Sequence, residues 1–204
     1  MFRQGTARHR LRDRGADLYE TPEEATTALV QVEHLPEQIW EPAAGRGAIA
    51  RVLQRHGHKV IAQDLNAWPG ADAGIDTPVD FLMERTAPPG ATIVTNPPFG
   101  LADRFIRHGL ELVDTVIVFE RLAWLEGSKR SDLIRHLRRV WVGIERLPMI
   151  HREGWSGRRI ANGTAPYAWM ILKREPRLDN QPIAIERLSW RQRDRGTYHP
   201  EVDS

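Results

Sequence analysis

Short apolar runs alternate along this chain with segments whose apolar residues recur at helical spacing. Apolar runs of strand length occupy residues 39–40, 59–63, 91–95 and 115–119. Between the last two runs, residues 102–113 place one apolar stripe on a helix, formed by Phe105, Ile106, Leu110 and Val113. Strands and helices that alternate in this way predict a doubly wound α/β domain.

Local signals predict where the first helix begins and how the sheet ends. Thr21 is expected as the N-cap residue, with Pro22 at the first helical position and Glu24 three residues after the cap. This helix should run to about Glu33, because Pro36 follows. Residues 141–144 and 168–172 are expected to complete the sheet as a hairpin-like pair.

The chain divides into three parts by composition. Residues 1–18 are rich in arginine and are interpreted as a mobile basic arm. Residues 19–175 hold the predicted α/β domain, and residues 176–204 form a polar, arginine-rich tail. The tail contains apolar residues that could dock on the domain, namely Ile183, Ile185, Leu188 and Trp190.

Composition excludes several kinds of chemistry. The 204 residues suit one domain with a sizeable core. The chain has no cysteine, which excludes disulfides, thiolate zinc sites and a cysteine nucleophile. The histidines show no metal-ligand spacing, so no metal site is predicted. No apolar run approaches the ~20 residues of a membrane span, and a cytoplasmic setting is expected.

The first candidate site follows the first strand, in the sequence Glu41-Pro42-Ala43-Ala44-Gly45-Arg46-Gly47. A strand that runs into Gly-x-Gly and then a helix lets the backbone approach a ligand closely. A pyrophosphate is disfavoured, because the Glu41 carboxylate would repel it. A cationic ligand fits better, and S-adenosylmethionine carries positive charge on its sulfonium and amino groups.

Two acidic positions follow at the spacing expected for a nucleoside ligand. Asp64, followed by Leu65, ends the second strand about 20 residues after the glycine loop, where an acidic side chain can bind ribose hydroxyls. Asp80 could accept a hydrogen bond from an adenine amine, and Phe81 could pack on the adenine ring. Asp80 could equally be a helix cap that precedes a core phenylalanine.

The most specific motif, Asn96-Pro97-Pro98-Phe99, ends the third strand. Two prolines fix a stiff turn and lack amide donors. The Asn96 side-chain oxygen and the Pro97 carbonyl are therefore expected to accept both hydrogens of one planar NH2 group. These two hydrogen bonds would make the nitrogen lone pair available for in-line attack on a methyl group. Phe99 could stack on the ring that carries the amine.

In their order, these motifs resemble the N6-adenine DNA methyltransferases of the class I, S-adenosylmethionine-dependent group, above all the small phage- and prophage-encoded members. The similarity extends over Tyr19-x-Thr21-Pro22 and the four motifs above. It implies a Rossmann-like methyltransferase fold with a seven-stranded mixed sheet. It also implies that Thr21 lies near the methionine part of the cofactor and Glu41 near its amino group. Residues 42–47, 64–65 and 80–81, together with Asn96, are expected to complete the cofactor site.

The larger family members carry a separate target-recognition domain, and none is expected in this chain. Target contacts are therefore assigned to the basic arm, to residues 121–130 and to the loop 148–166, with the candidate DNA-binding residues Arg152, Trp155, Arg158 and Arg159. A homodimer or a specificity partner could contribute.

Other functions remain open from the sequence. RNA amino groups, cytosine N4 and a protein glutamine amide are planar nitrogens that suit the same tetrapeptide. A non-catalytic subunit that binds the cofactor and positions nucleic acid for a partner is a further alternative.

Overall fold

One mixed sheet organises the domain. The computed structural model describes residues 18–147, 150–151, 165–178 and 181–191. Within these residues the sheet has eight strands in the order β10-β7-β9-β6-β5-β2-β3-β4. The strands are β2 (Gln38–Glu41), β3 (Lys59–Gln63), β4 (Ile75–Asp76), β5 (Thr92–Thr95), β6 (Thr115–Arg121), β7 (Leu137–Gly143), β9 (Tyr167–Lys173) and β10 (Ala184–Leu188).

Most neighbouring strands run parallel. Strand β9 is antiparallel to both of its neighbours, β6 and β7, while all other neighbouring pairs in this sheet are parallel. A separate two-stranded sheet joins β1 (Tyr19–Glu20) to β8 (Ile150–His151) in antiparallel register. Tyr19 in this small sheet lines the cavity at the carboxyl ends of the central strands, which is described below.

Helices cover both faces of the main sheet, as the doubly wound prediction requires. They are α1 (Glu23–Val32), α2 (Ala48–Arg55), α3 (Ala102–Leu112) and the short α4 (Ser131–Ile134). Helix α3 packs Phe105, Ile106 and Leu110 into the core on one face. Helices α1 and α2 pack into the core on the other face through residues such as Leu29 and Leu53.

The sheet is larger than the sequence prediction of seven strands. The additional edge strand, β10, lies in the segment that composition alone assigns to the polar tail. Its burial pattern shows why it escapes detection, because only Leu188 is buried while Glu186 and Arg187 point to solvent. Strands β7 and β9 do pair antiparallel, as expected for residues 141–144 and 168–172.

Trp190 anchors this C-terminal segment. Its indole is 4 % exposed, and its Nε1 donates to the backbone carbonyl of Glu145 at 2.9 Å. The ring lies so close to Gly143 that a Cβ there would overlap it. Leu188 is also buried, but Ile185 is 67 % exposed, so the expected docking through Ile185 is wrong.

The expected cap of α1 is also wrong. The helix begins after Pro22, and no side chain caps it. The Thr21 hydroxyl instead contacts a residue far away in sequence, as described below. None of the helices in the described part of the chain is long and apolar enough to cross a membrane.

Candidate functional site

A cavity of about 440 Å³ opens at the carboxyl ends of the central parallel strands. Strand β2 pairs with β3 on one side and with β5 on the other, so the winding of the sheet reverses between β2 and β5. Ligands bind at such switch points in open α/β sheets. The sequence-predicted residues that line the cavity are Thr21, Glu41, Pro42, Ala43, Gly45, Asp64, Leu65, Asp80, Phe81, Asn96, Pro97, Pro98 and Phe99.

Gly47 is the one predicted cofactor residue that does not line this cavity. It precedes α2 with a φ of 90°, and its N–H donates to the Ala44 carbonyl at 2.8 Å. A Cβ at this position would come within 2.4 Å of the Asp72 carboxylate. Gly47 therefore shapes the turn, because only glycine adopts this backbone without strain.

Asp64 holds the glycine loop against the end of β3. One carboxylate oxygen accepts from the Gly45 N–H at 2.8 Å. The other accepts from the Asn66 N–H at 2.8 Å and from the Trp68 indole at 3.0 Å. Three N–H donors converge on one carboxylate that is 7 % exposed, so Asp64 is fixed in position and remains an acceptor toward the cavity.

Glu41 is a buried carboxylate with an unsatisfied oxygen. Its side chain is 1 % exposed, and the Ala50 backbone near the start of α2 lowers its pKa by less than burial raises it. The Oε2 atom has no hydrogen-bond partner among the described residues. Burial raises the pKa of Glu41 well above its usual range. A cationic or N–H-donating ligand in the cavity would satisfy this oxygen and stabilise the ionised form.

The cavity lining also combines an acceptor with exposed apolar side chains. Asp80 accepts from the Leu82 N–H at 3.0 Å and so caps a 3₁₀ turn, and its side chain lies at the surface of the cavity. Leu65 is 55 % exposed and Met83 is 66 % exposed, although both are large and apolar. These side chains suit contact with a flat apolar ring, because such contact would remove their apolar surface from water.

Phe81 lines the cavity but fits the alternative interpretation, a core phenylalanine that follows a cap. The ring is 3 % exposed and packs against Trp40 and Phe105, with centroid separations of 5.2 and 4.9 Å. Phe81 is therefore mainly a core residue at the cavity wall. The sequence reading missed Trp68, Met83 and Arg104, which also line the cavity. A lone tryptophan in a Gly-, Pro- and Asp-rich loop was the available signal for Trp68.

The orientation of Asn96 is set by two acceptors on the segment before α1. Its Nδ2 donates to the Tyr19 carbonyl at 3.0 Å and to the Thr21 hydroxyl oxygen at 3.0 Å. Both amide hydrogens are thereby used, which requires Oδ1 to face the other way. Within the described part of the chain, no donor is hydrogen-bonded to this oxygen or to the Pro97 carbonyl.

Phe99 lies half-buried in a group of aromatic and cationic side chains. Its ring centroid is 4.8 Å from that of Tyr19 and 6.5 Å from that of Tyr167. The Arg121 guanidinium carbon lies 4.6 Å from the Phe99 centroid. The tetrapeptide thus joins two free acceptor oxygens to an aromatic ring at the cavity wall.

The predicted target contacts Arg152, Trp155, Arg158 and Arg159 lie outside the described residues, as does the basic arm before Leu18. Among the residues that are described, no group of His, Cys, Asp and Glu could hold a metal ion.

No protein-family model matches the chain, and no curated protein sequence matches it significantly. Solved structures do match. The 23S rRNA methyltransferase ErmE is 17 % identical with a TM-score of 0.52, and the match covers 80 % of this chain and 73 % of that protein. A protein from Pyrococcus horikoshii provisionally assigned as an RNA methyltransferase is 14 % identical with a TM-score of 0.51, over 76 % and 86 % of the two chains.

A third match is the modification subunit of a provisionally assigned type I restriction enzyme from Vibrio vulnificus. It is 13 % identical with a TM-score of 0.50, and the match covers 78 % of this chain and 45 % of that one. At these identities the matches establish the fold alone. The chain has the Rossmann-like methyltransferase fold, which confirms the sequence prediction of the fold class.

Proposed function

We propose that this protein is an S-adenosylmethionine-dependent methyltransferase that methylates the exocyclic N6 of adenine in DNA. The observation that carries the proposal is the orientation of Asn96. Because its amide nitrogen donates to Tyr19 and Thr21, its oxygen is left as an acceptor, and the Pro97 carbonyl also has no hydrogen-bond partner among the described residues. Two acceptors at one strand end match the two hydrogens of an amino group.

The cavity fits the cofactor by its donor and acceptor chemistry. The unpartnered Glu41 oxygen suits the amino group of the methionine part. The fixed Asp64 carboxylate suits the ribose hydroxyls, as at the same position of other doubly wound folds. Asp80 would accept from the adenine amine, with Leu65 and Met83 against the ring. When bound, S-adenosylmethionine supplies an electrophilic methyl group on a positively charged sulfur.

The residues of the tetrapeptide would orient and polarise the target amine. Asn96 Oδ1 and the Pro97 oxygen accept one N–H each, so that the nitrogen lone pair points toward the methyl group. Transfer would form an N–C bond at the expense of the cofactor's S–C bond, and positive charge would develop on the amine nitrogen. The same two oxygens stabilise this charge until a proton leaves to water. The step requires no metal and no strong base from the protein.

Access to adenine in a duplex requires that the base leave the stack. Flipping a base costs a few kcal/mol of pairing and stacking energy. Stacking on the half-buried Phe99 ring would offset part of this cost. The match to a type I modification subunit is consistent with DNA as the substrate.

RNA is the second candidate substrate. It is favoured by the fold similarity to the rRNA methyltransferase ErmE, and the same amine geometry would serve adenine in RNA. A protein glutamine amide fits less well, because a peptide offers no phosphates to the arginine-rich segments. A non-catalytic binding subunit would not require the two free acceptors beside an aromatic ring.

The decisive experiment is transfer of labelled methyl from S-adenosylmethionine by the full chain. The acceptors are unmethylated duplex DNA, single-stranded DNA and total RNA, and labelled nucleosides are identified after digestion. N6-methyladenine from DNA supports the proposal. Label found only in RNA would leave the assignment of the catalytic site unchanged and would identify RNA, not DNA, as the substrate. Cofactor binding without any transfer would favour the non-catalytic subunit.

A further inference from the structure

Arg121 places a positive charge at the mouth of the proposed target site. It is the last residue of β6, next to the β5 strand that leads into Asn96. Its side chain is exposed, and its guanidinium lies over the Phe99 ring at 4.6 Å from the centroid. The Arg121 guanidinium therefore lies against Phe99, the ring that is proposed to stack on the target base.

One long hydrogen bond orients this guanidinium. Arg121 Nε donates to the Tyr167 hydroxyl at 3.4 Å, and this hydrogen bond raises the pKa of Arg121 above its usual value. Tyr167 is itself held by stacking on Phe119, with centroids 5.1 Å apart and planes 13° from parallel. The anchor is buried, while the charged end of Arg121 stays at the surface.

The terminal nitrogens of Arg121 remain available. Among the described residues no carboxylate forms an ion pair with Arg121, and no acceptor is hydrogen-bonded to its Nη atoms. The neighbouring Glu120 uses one oxygen on the Arg121 backbone N–H at 3.0 Å, not on the guanidinium. Arg107, Arg130 and Arg139 are in contrast paired with Asp or Glu.

We propose that Arg121 binds a backbone phosphate of the nucleic-acid strand, next to the base that enters the site. This inference rests on the function proposed above and specifies its substrate class as a polynucleotide. A planar guanidinium with free Nη donors suits bidentate contact with phosphate oxygens. Partial stacking on Phe99 keeps the side chain extended toward the strand, which reduces the entropy lost on binding.

The salt dependence of DNA binding distinguishes this role from simple packing on Phe99. R121M keeps an apolar stem over the ring but removes the charge, and R121K keeps the charge. The matched control is R187M, because Arg187 is exposed on the edge strand β10, three strands away from β6. Each full-length variant is titrated with a duplex that contains adenine, at several NaCl concentrations, with the cofactor product present.

For R121M we expect roughly tenfold weaker binding at low salt and a salt slope reduced by about 0.9, the value for one lost phosphate contact. R121K should keep the wild-type slope, and R187M should match wild type in both measurements. An unchanged slope in R121M would overturn the inference, even if affinity fell. If wild type binds duplex but methylates no nucleic acid, the proposed function fails, while the phosphate contact stands or falls on the slopes alone. If wild type binds no nucleic acid, both fail.

Discussion

The side-chain nitrogen of Asn96 lies 3.0 Å from the hydroxyl oxygen of Thr21, although 75 residues separate the two in sequence. Thr21 is 4 % exposed and sits between β1 and α1. Its hydroxyl oxygen is therefore a buried acceptor that orients the side-chain amide of Asn96. This contact links the segment before the first helix to the chemistry at the end of β5.

We expect Thr21 to affect the chemical step through Asn96. T21V removes the acceptor at nearly constant volume, which releases one amide hydrogen and lets the Asn96 side chain rotate. Loss of one hydrogen bond of about 1 kcal/mol should lower kcat roughly fivefold. T21S keeps the hydroxyl and should restore most of the rate. Steady-state kinetics and calorimetric cofactor affinity separate the effects, because a role confined to cofactor contact would change the affinity and leave kcat unchanged.

Removal of Asn96 should abolish transfer. N96A deletes one of the two acceptors for the amine and its contacts with Tyr19 and Thr21, so that the nitrogen lone pair is no longer directed. We expect activity to fall by at least about a hundredfold, within the range for loss of one electrostatic contact to a transition state. Cofactor affinity should change little. Methyl transfer at the wild-type rate would refute the mechanism.

Asp64 should control cofactor affinity. Its carboxylate accepts three N–H donors, so D64N would turn an amide NH2 toward at least one of them. The glycine loop should loosen, and cofactor affinity should fall by roughly tenfold or more. D114N, which changes the exposed partner of Arg174, is the matched control. Isothermal titration measures both variants, and equal affinities for D64N and wild type would contradict the assignment.

Glu120 should make stability depend on pH. Burial raises the pKa of this side chain from 4.5 to about 7, and its Oε1 has no hydrogen-bond partner in the described part of the chain. The folded protein therefore prefers the protonated form. Stability from this group is fully present below the unfolded-state pKa and is lost as pH rises through about 7. At about 1.4 kcal/mol per pH unit, the loss approaches roughly 3 kcal/mol.

E120Q tests this dependence, because glutamine stays neutral at every pH. Urea unfolding between pH 5 and pH 8 should show a smaller fall in the free energy of unfolding for E120Q than for wild type. Glu41 adds a dependence of the same sign in both proteins, so their difference isolates Glu120. E24Q removes an exposed carboxylate at the start of α1 and serves as control. Parallel curves for wild type and E120Q would disprove the role of Glu120.

Local sequence signals predicted the parts of the site that depend on residues close in the chain. Gly45 and Gly47 lie in the turn between β2 and α2, and Asn96 follows a buried strand, as the pattern indicated. Signals that have two local interpretations were less reliable. Asp80 caps a turn, and Phe81 is mostly core, because a short apolar segment after an acidic residue suits either a ligand wall or a packed 3₁₀ turn.

The sequence by itself determined the α/β class and the placement of polar chemistry at strand ends, since apolar runs and glycine turns act over a few residues. Only the tertiary structure decided which distant groups meet. In the folded chain Thr21 is a hydrogen-bond partner of Asn96 and not a helix cap. Strand β10 pairs with the main sheet, and Arg121 lies over Phe99. Such contacts depend on strand order and packing, and neither is encoded in the local periodicity of the chain.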